Sequence, residues 1–273
     1  MNGYNKAGIM CPGITPRNAA SVILVRDADH PRLGVEVLMV QRHVKSDFAP
    51  AAHVFPGGAA DDMDCAPQMQ ELCFGLTAKQ AQDILKDTPY PEVALGIFVA
   101  AVREAFEEVH ILLAYNEVHN VPTFGKENEK RFAEYRFQIE KKHLSFSKML
   151  EIEHLKAATD RLSYFAHWIT PEFAPRRYDT RFFVAPAPPY QEAIPDMSET
   201  TASLWLTPNK AMEKHQQNEL LLLPPTISNL EILAGFASVE EVMVYSRSKK
   251  EIPTIIPKLV IRDGKTELEN TIR

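Results

Sequence analysis

Cysteine is scarce: there are three in 273 residues, Cys11, Cys65 and Cys73. Their number and spacing make neither a disulfide framework nor a zinc site, and imply free thiols in a reducing compartment. No apolar run is long enough to cross a bilayer. The longest, VALGIFVAAV at 93–102, leads directly into charge. The opening MNGYNKAGIM lacks the basic segment and long apolar core of a secretory signal. The closing Thr-Ile-Arg is not a peroxisomal address, so the expected location is cytoplasmic. A basic excess is missing too, since 30 Lys and Arg stand against 36 Asp and Glu. That balance argues against bulk electrostatic binding of nucleic acid, although a local basic patch can still hold a small anion. Internal repeats and low-complexity tracts are absent.

What is present is an ordinary globular composition, 45% hydrophobic and 24% charged. The length suits one large domain, or one domain carrying insertions. Residues 19–26 (AASVILVR) and 34–41 (GVEVLMVQ) are β-branched apolar runs separated by DADHPRL, which predicts a hairpin. A short strand is expected at 53–55, closed by the turn Pro56-Gly57-Gly58. Residues 60–91 change character and hold one short helix, from a Thr77 cap to about Lys86. A long amphipathic helix is expected from about Glu92 to Tyr115, followed by one or two helices in the Lys- and Glu-rich segment 126–157. Strands are predicted at 163–169, 178–185 and 202–206, then a helix opened by Thr207-Pro208. Thr226 is expected to cap a helix through Phe236, and Ser238 to start another with capping-box spacing. The tail reads as irregular strand with a turn at Asp263-Gly264. Without a regular βαβ rhythm, the pattern predicts an α/β protein of α+β character, a mixed sheet flanked by helices.

Chemistry concentrates in AVREAFEEVHILL at 101–113. On a helix Glu104, Glu107 and Glu108 fall within one narrow stripe, while Val102, Phe106 and Val109 occupy the opposite, core-facing side. Arg103 precedes Glu107 by one turn and reaches its carboxylate. Such a stripe is either a solvated face or a ligand set for a hard divalent cation such as Mg²⁺ or Mn²⁺, which prefers oxygen donors. For an anionic substrate the candidate cations are Arg42, Arg177 and Arg181, whose guanidinium forks suit phosphate oxygens. Tyr178 and Phe182 are candidates for stacking on a base or for the core, and His53 is placed beside the glycine turn.

Arg103 to Ile111 resembles the core of the Nudix hydrolase signature, and His53-Val54-Phe55-Pro56-Gly57-Gly58 resembles the turn that opens it. Asp64 stands where the signature has its first glutamate, and the short spacer that follows has grown to residues 65–102. An interruption at this point is similar to a subgroup of coenzyme A and acyl-coenzyme A diphosphatases. Gln41-Arg42 before SDFAPAAHVFPGG, RRYDTRFFVAP and LLPPT add to that likeness. The resemblance implies a single Nudix domain over 1–273, an α/β/α sandwich. It would carry an insertion at about 65–91 and a helical accessory element at about 117–160.

The resemblance further implies that Glu104, Glu107 and Glu108 hold Mg²⁺ or Mn²⁺, with Arg103 orienting a glutamate. Gly57 and Gly58 would let the turn pack against the catalytic helix. Glu199 is the candidate general base or extra ligand. The implied reaction is hydrolysis of coenzyme A or acyl-coenzyme A to adenosine 3′,5′-bisphosphate and (acyl-)4′-phosphopantetheine. The alternatives are a pyrophosphatase acting on ADP-ribose, dinucleotides or nucleotide sugars, and a non-catalytic nucleotide-binding module. The expected partner is therefore a small nucleoside diphosphate, with neither nucleic acid nor membrane. The long spacer is a candidate lid or oligomer contact, the latter implying a homodimer. His110 replaces the signature's glycine, which predicts that the helix runs on or bends differently there.

Overall fold

The structure, a computed structural model, describes residues 14–30, 33–46, 49–124, 128–262 and 265–273, apart from the side chains of 261–262 and 265–267. Cys11 and the Asp263-Gly264 turn lie outside these residues. β1 (Arg17–Asp27) and β2 (Val35–Arg42) pair antiparallel, Val25 opposite Val37, as the two apolar runs predict. β3 (His53–Val54) pairs with β2, and β4 (Gly57–Ala59) pairs antiparallel with Ala19–Ser21 of β1. One edge of β1 is thus divided between two partners. Its other edge runs parallel to β9 (Tyr178–Pro186) from Arg17 to Val25. Beyond β9 come β8 (Ser163–Ile169) and the hairpin of β11 (Thr254–Arg262) and β12 (Lys265–Ile272), while β10 (Thr200–Leu206) closes the far edge beside β2. A small second sheet joins β5 (Cys73–Phe74), β7 (Lys156–Ala158) and β6 (Ala114–Tyr115).

β1 is apolar on both faces because both faces are covered, as in other sheets sandwiched between helices. Val22 and Leu24 point to one side with Leu38 and Val40, where Phe98, Val102 and Phe106 of α2 (Pro91–Val109) pack on them. Ile23 and Val25 point to the other with Val37 and Met39, against α5 (Pro208–Gln216), α6 (Pro224–Leu233) and α7 (Val239–Ser248). Each fully buried aliphatic side chain contributes about 1.5–3 kcal/mol to holding these layers together. The result is the expected α/β/α sandwich with a mixed sheet. α1 (Ala78–Ile84), α3 (Glu129–Glu140) and α4 (Phe146–Ile152) add buried apolar side chains to the core on the α2 side of the sheet.

Thr77 caps α1 through a reciprocal bond with Gln80, and Thr207 caps α5 with Pro208 at its first position, both as predicted. Three expectations need correction, those for the end of α2, the start of α6 and the tail. α2 stops at Val109, because His110 adopts a left-handed conformation (φ 59°, ψ 25°) instead of continuing to Tyr115. α6 begins at Pro224, with Thr226 inside its first turn, since a Pro-Pro pair is pre-set for the helix start and needs no N–H. Ser238 starts α7 as expected, its side chain accepting from the Glu241 N–H, and the Glu241 carboxylate accepts from the Ala237 N–H. The tail is a regular hairpin, Ile255 opposite Ile272 and Leu259 opposite Leu268. Among the described residues no helix is long and apolar enough to cross a membrane.

Candidate active site

The site forms where β4 meets the last two turns of α2. Gly57 and Gly58 lie there because a side chain has no room. A Cβ on Gly57 would overlap the backbone of Ala20 and Ser21 in β1, and one on Gly58 would overlap the carboxylate of Glu104. This closeness brings backbone and acids into register. The Gly57 N–H donates to Glu108 Oε2 at 3.1 Å.

Arg103 is the hub of the acids. Its Nε donates to Asp64 Oδ1 at 3.0 Å and its Nη2 to Asp64 Oδ2 at 3.0 Å. Nη1 donates to Glu104 Oε1 at 2.8 Å and to Glu107 Oε1 at 3.0 Å, and Nη2 also reaches the carbonyl of Ala59 at 2.9 Å. Asp64, Arg103 and Glu108 are all buried. Asp64 Oδ2 also accepts from the Asp61 N–H at 2.9 Å, closing its own loop. Asp64 is therefore committed to Arg103 through both carboxylate oxygens, and it lines the cavity together with the three helical glutamates.

Three carboxyls, those of Asp64, Glu104 and Glu107, thus surround one guanidinium, and Glu108 lies beside them on the Gly57 N–H. Burial raises the Glu104 carboxyl to about 7 even though Arg103 pulls it down. Burial lifts Glu107 in the same way. Burial and then repulsion by Glu104 push Glu108 well above its usual range, against the Gly57 N–H and Arg42, with Glu199 adding to the repulsion. Uncompensated buried carboxylates of this kind are unfavourable unless a cation joins them. An all-oxygen donor set with excess negative charge fits a hard divalent ion.

The helix end below the acids is tied down from three directions. His110 N–H donates to Phe106 O at 3.0 Å and Ile111 N–H to Ala105 O at 3.1 Å. Arg136 of α3 then takes the carbonyls that α2 leaves open. Its Nε donates to Glu107 O at 2.6 Å, its Nη2 to Glu108 O at 2.8 Å and its Nη1 to Ile194 O at 2.8 Å. The Asp196 N–H and the Thr200 hydroxyl also donate to Glu108 O, at 3.1 and 3.3 Å. The His110 ring is buried against Phe106 and Phe124, and burial pushes it down to about 4, so it stays neutral. Histidine here performs the helix-ending task of the signature's glycine.

A cavity of about 1130 Å³ opens over the acids. Glu104, Glu107, Glu108, Glu199, Gly57, Gly58 and Arg42 line it, so these sequence candidates are brought together. Tyr178 and Phe182 line it as well, whereas His53 is buried away from it in β3. Arg177 and Arg181 are not brought there. Arg177 donates to Thr170 O at 3.0 Å and Ile14 O at 2.8 Å, pinning two strand ends. Arg181 is buried under the sheet, where it pairs with Asp87 at 2.7 Å and Asp179 at 2.8 Å. Asp87, Asp179 and His167 gather closely enough to suggest a metal site, but the Arg181 guanidinium already supplies the balancing charge among them. Arg136 is the residue that sequence reasoning missed. Only its position within the Lys- and Glu-rich segment was visible, and its partners are backbone carbonyls, which leave no mark in a sequence.

Comparison with known proteins gives this arrangement a family. The model of the NUDT19 Nudix domain matches residues 76–233, more than half of the chain. The chain belongs to that family. It is 29% identical over 270 residues to the acyl-coenzyme A diphosphatase NUDT19 of Homo sapiens, covering 82% of this chain and 70% of that one. It is 28% identical over 234 residues to the Xenopus laevis protein of the same name, covering 76% of this chain and 61% of the relative. The chain spans only 61% and 70% of the lengths of the Xenopus laevis and Homo sapiens relatives. A solved Nudix hydrolase from Alicyclobacillus acidocaldarius shares the fold, with a TM-score of 0.67 at 24% identity over 84% of this chain and 96% of that one.

Proposed function

We propose that this NUDT19-family hydrolase cleaves the diphosphate of coenzyme A or an acyl-coenzyme A, giving adenosine 3′,5′-bisphosphate and (acyl-)4′-phosphopantetheine. The observation that carries the reading is the convergence of Glu104, Glu107 and Glu108 on one cavity beside the Gly57-Gly58 strand. The names of the curated relatives supply the substrate class. Glu104, Glu107 and Glu108 hold Mg²⁺ or Mn²⁺. When bound, that ion offsets charge on the diphosphate and makes water a better nucleophile.

The chain's own groups do the rest. Arg103 fixes Glu104 and Glu107 in one orientation and is itself fixed by Asp64. Arg42 lines the cavity, as do Arg17 and Lys142, and its guanidinium suits phosphate oxygens. Glu199 lies within electrostatic reach of Glu108 and lines the same cavity, which suits it to take the proton of the attacking water. Water adds its oxygen to one phosphorus, and the bridging oxygen leaves with the other. We further propose a cytoplasmic setting, in keeping with the free thiols of Cys65 and Cys73.

Purified protein with Mg²⁺ or Mn²⁺ and a panel of diphosphates tests this. The panel contains coenzyme A, acyl-coenzyme A, ADP-ribose, dinucleotides and nucleotide sugars. Preference for the coenzyme A forms, and loss of more than about 100-fold in Glu107→Gln and Glu108→Gln, is expected. Preference for ADP-ribose or a dinucleotide would replace the substrate assignment. Turnover indifferent to both glutamates would remove the catalytic one.

A further inference from the structure

The cavity is longer than a diphosphate site requires, and its second half is chemically different. Strand register shows why. β8 ends at Ile169 where β9 and β1 begin, because Trp168 pairs with Thr180, and Thr180 with Ala19. That is the sheet end at which β4 and the glutamates sit, since Ala19 also pairs with Ala59. β11 follows β8 in parallel for only two pairs, Thr254 with His167 and Ile255 with Trp168. The rest of the hairpin runs on past the end of β8, at the same end of the sheet as the acids, with its Trp168 face on the side of the sheet opposite α2. Residues directly opposite in register, and those two apart along a strand, share a face. Trp168, Ile255, Pro257, Leu259 and Leu268 therefore present one continuous apolar face.

Of these, Trp168, Pro257 and Leu268 line the cavity, joined by Phe173 from the loop after β8 and by Tyr178. Leu268 and Phe173 remain half exposed, at 50% and 42%. These are large apolar side chains that the folded chain leaves for something else to cover. From β4 to β11 is four strand spacings, about 19 Å at about 4.8 Å each. A ligand needs an extended arm beyond its diphosphate to touch both ends.

We infer that the C-terminal hairpin forms a subsite for the apolar acyl end of the substrate, with Leu268, Pro257, Trp168 and Phe173 as its specificity-determining walls. The inference rests on the proposed coenzyme A reading and adds which part of the chain senses the acyl group. Its occupant is an aliphatic chain carried on a pantetheine arm. Continuity of the apolar face with the cavity over the acids is what ties that occupant to this surface.

The test is the ratio of kcat/KM for a long-chain acyl-coenzyme A to that for unacylated coenzyme A. It is measured in wild type, Leu268→Asp and Phe173→Ala. Leu268→Asp is expected to lower the ratio about tenfold, the worth of one or two methylenes losing their apolar contact. Phe173→Ala is expected to lower it in the same direction. A ratio that stays within twofold of wild type in both variants overturns the inference, including the case in which both substrates fall together because the apolar limb holds the nucleobase. Wild type that turns over neither coenzyme A form would instead refute the functional reading beneath it, so the two failures are distinguishable.

Discussion

His110 shows how much one residue decides. A non-glycine residue in the left-handed region costs about 1–2 kcal/mol. Here that cost is offset by burying the ring between Phe106 and Phe124. Burial also holds the ring at about 4, below its ordinary 6.5. Between those values the unfolded chain binds more protons than the folded one. The stability tied to the neutral ring is therefore complete above about pH 6.5 and lost as pH falls toward 4. His110→Asn tolerates the left-handed backbone without titrating. Urea unfolding at pH 7 and pH 5 should show wild type losing more stability on acidification than the variant, and equal losses would contradict the account. Gly58 is the second decisive residue. In Gly58→Ala the new methyl displaces the Glu104 carboxylate, so activity should fall about 10- to 100-fold while the far-UV circular dichroism spectrum is preserved. Full activity would mean that Glu104 is free to move. Both positions stood out in the sequence, one as a match to the signature and one as a departure from it. The direction of the departure did not. A left-handed helix end depends on packing by Phe124, which is distant in sequence and carries no motif.

At the scale of elements, the chain is legible where a signal is local and obscure where partners are remote. The β1–β2 runs, the Thr77 and Thr207 caps and the strands at 163–169 and 178–186 follow from patterns within a few residues. The end of α2 does not, because three of its restraints come from α3, Ile194–Asp196 and Thr200. The assignment of Arg181 to phosphate failed for the same reason. An arginine in a strand looks free until Asp87, from the loop after α1, is seen beside it. Arg136 makes the element-scale prediction. A cation on the last carbonyls of a helix offsets its dipole, and here it also fixes the backbone that carries Glu107 and Glu108. Arg136→Met should weaken Mn²⁺ binding, measured by titration calorimetry without substrate, by about tenfold. Arg136→Lys should recover part of it. Wild-type affinity in Arg136→Met would assign the residue to folding alone.

The whole molecule joins two requirements in one shape. A sheet covered on both faces holds β1 rigid, and β1 in turn holds β4 against α2, so the glycines and glutamates meet on a scaffold and not on loops. Past the strand ends the same sheet leaves its face open, and there the cavity extends from the acids to the C-terminal hairpin. The most direct test of this account is product identification by mass spectrometry, with acyl-coenzyme A, Mg²⁺ and ¹⁸O-labelled water. The prediction is adenosine 3′,5′-bisphosphate and acyl-4′-phosphopantetheine, with one labelled oxygen in one of the two products and no such products from Glu108→Gln. Release of inorganic phosphate or of the free acid in their place, or the same products from Glu108→Gln, would contradict it.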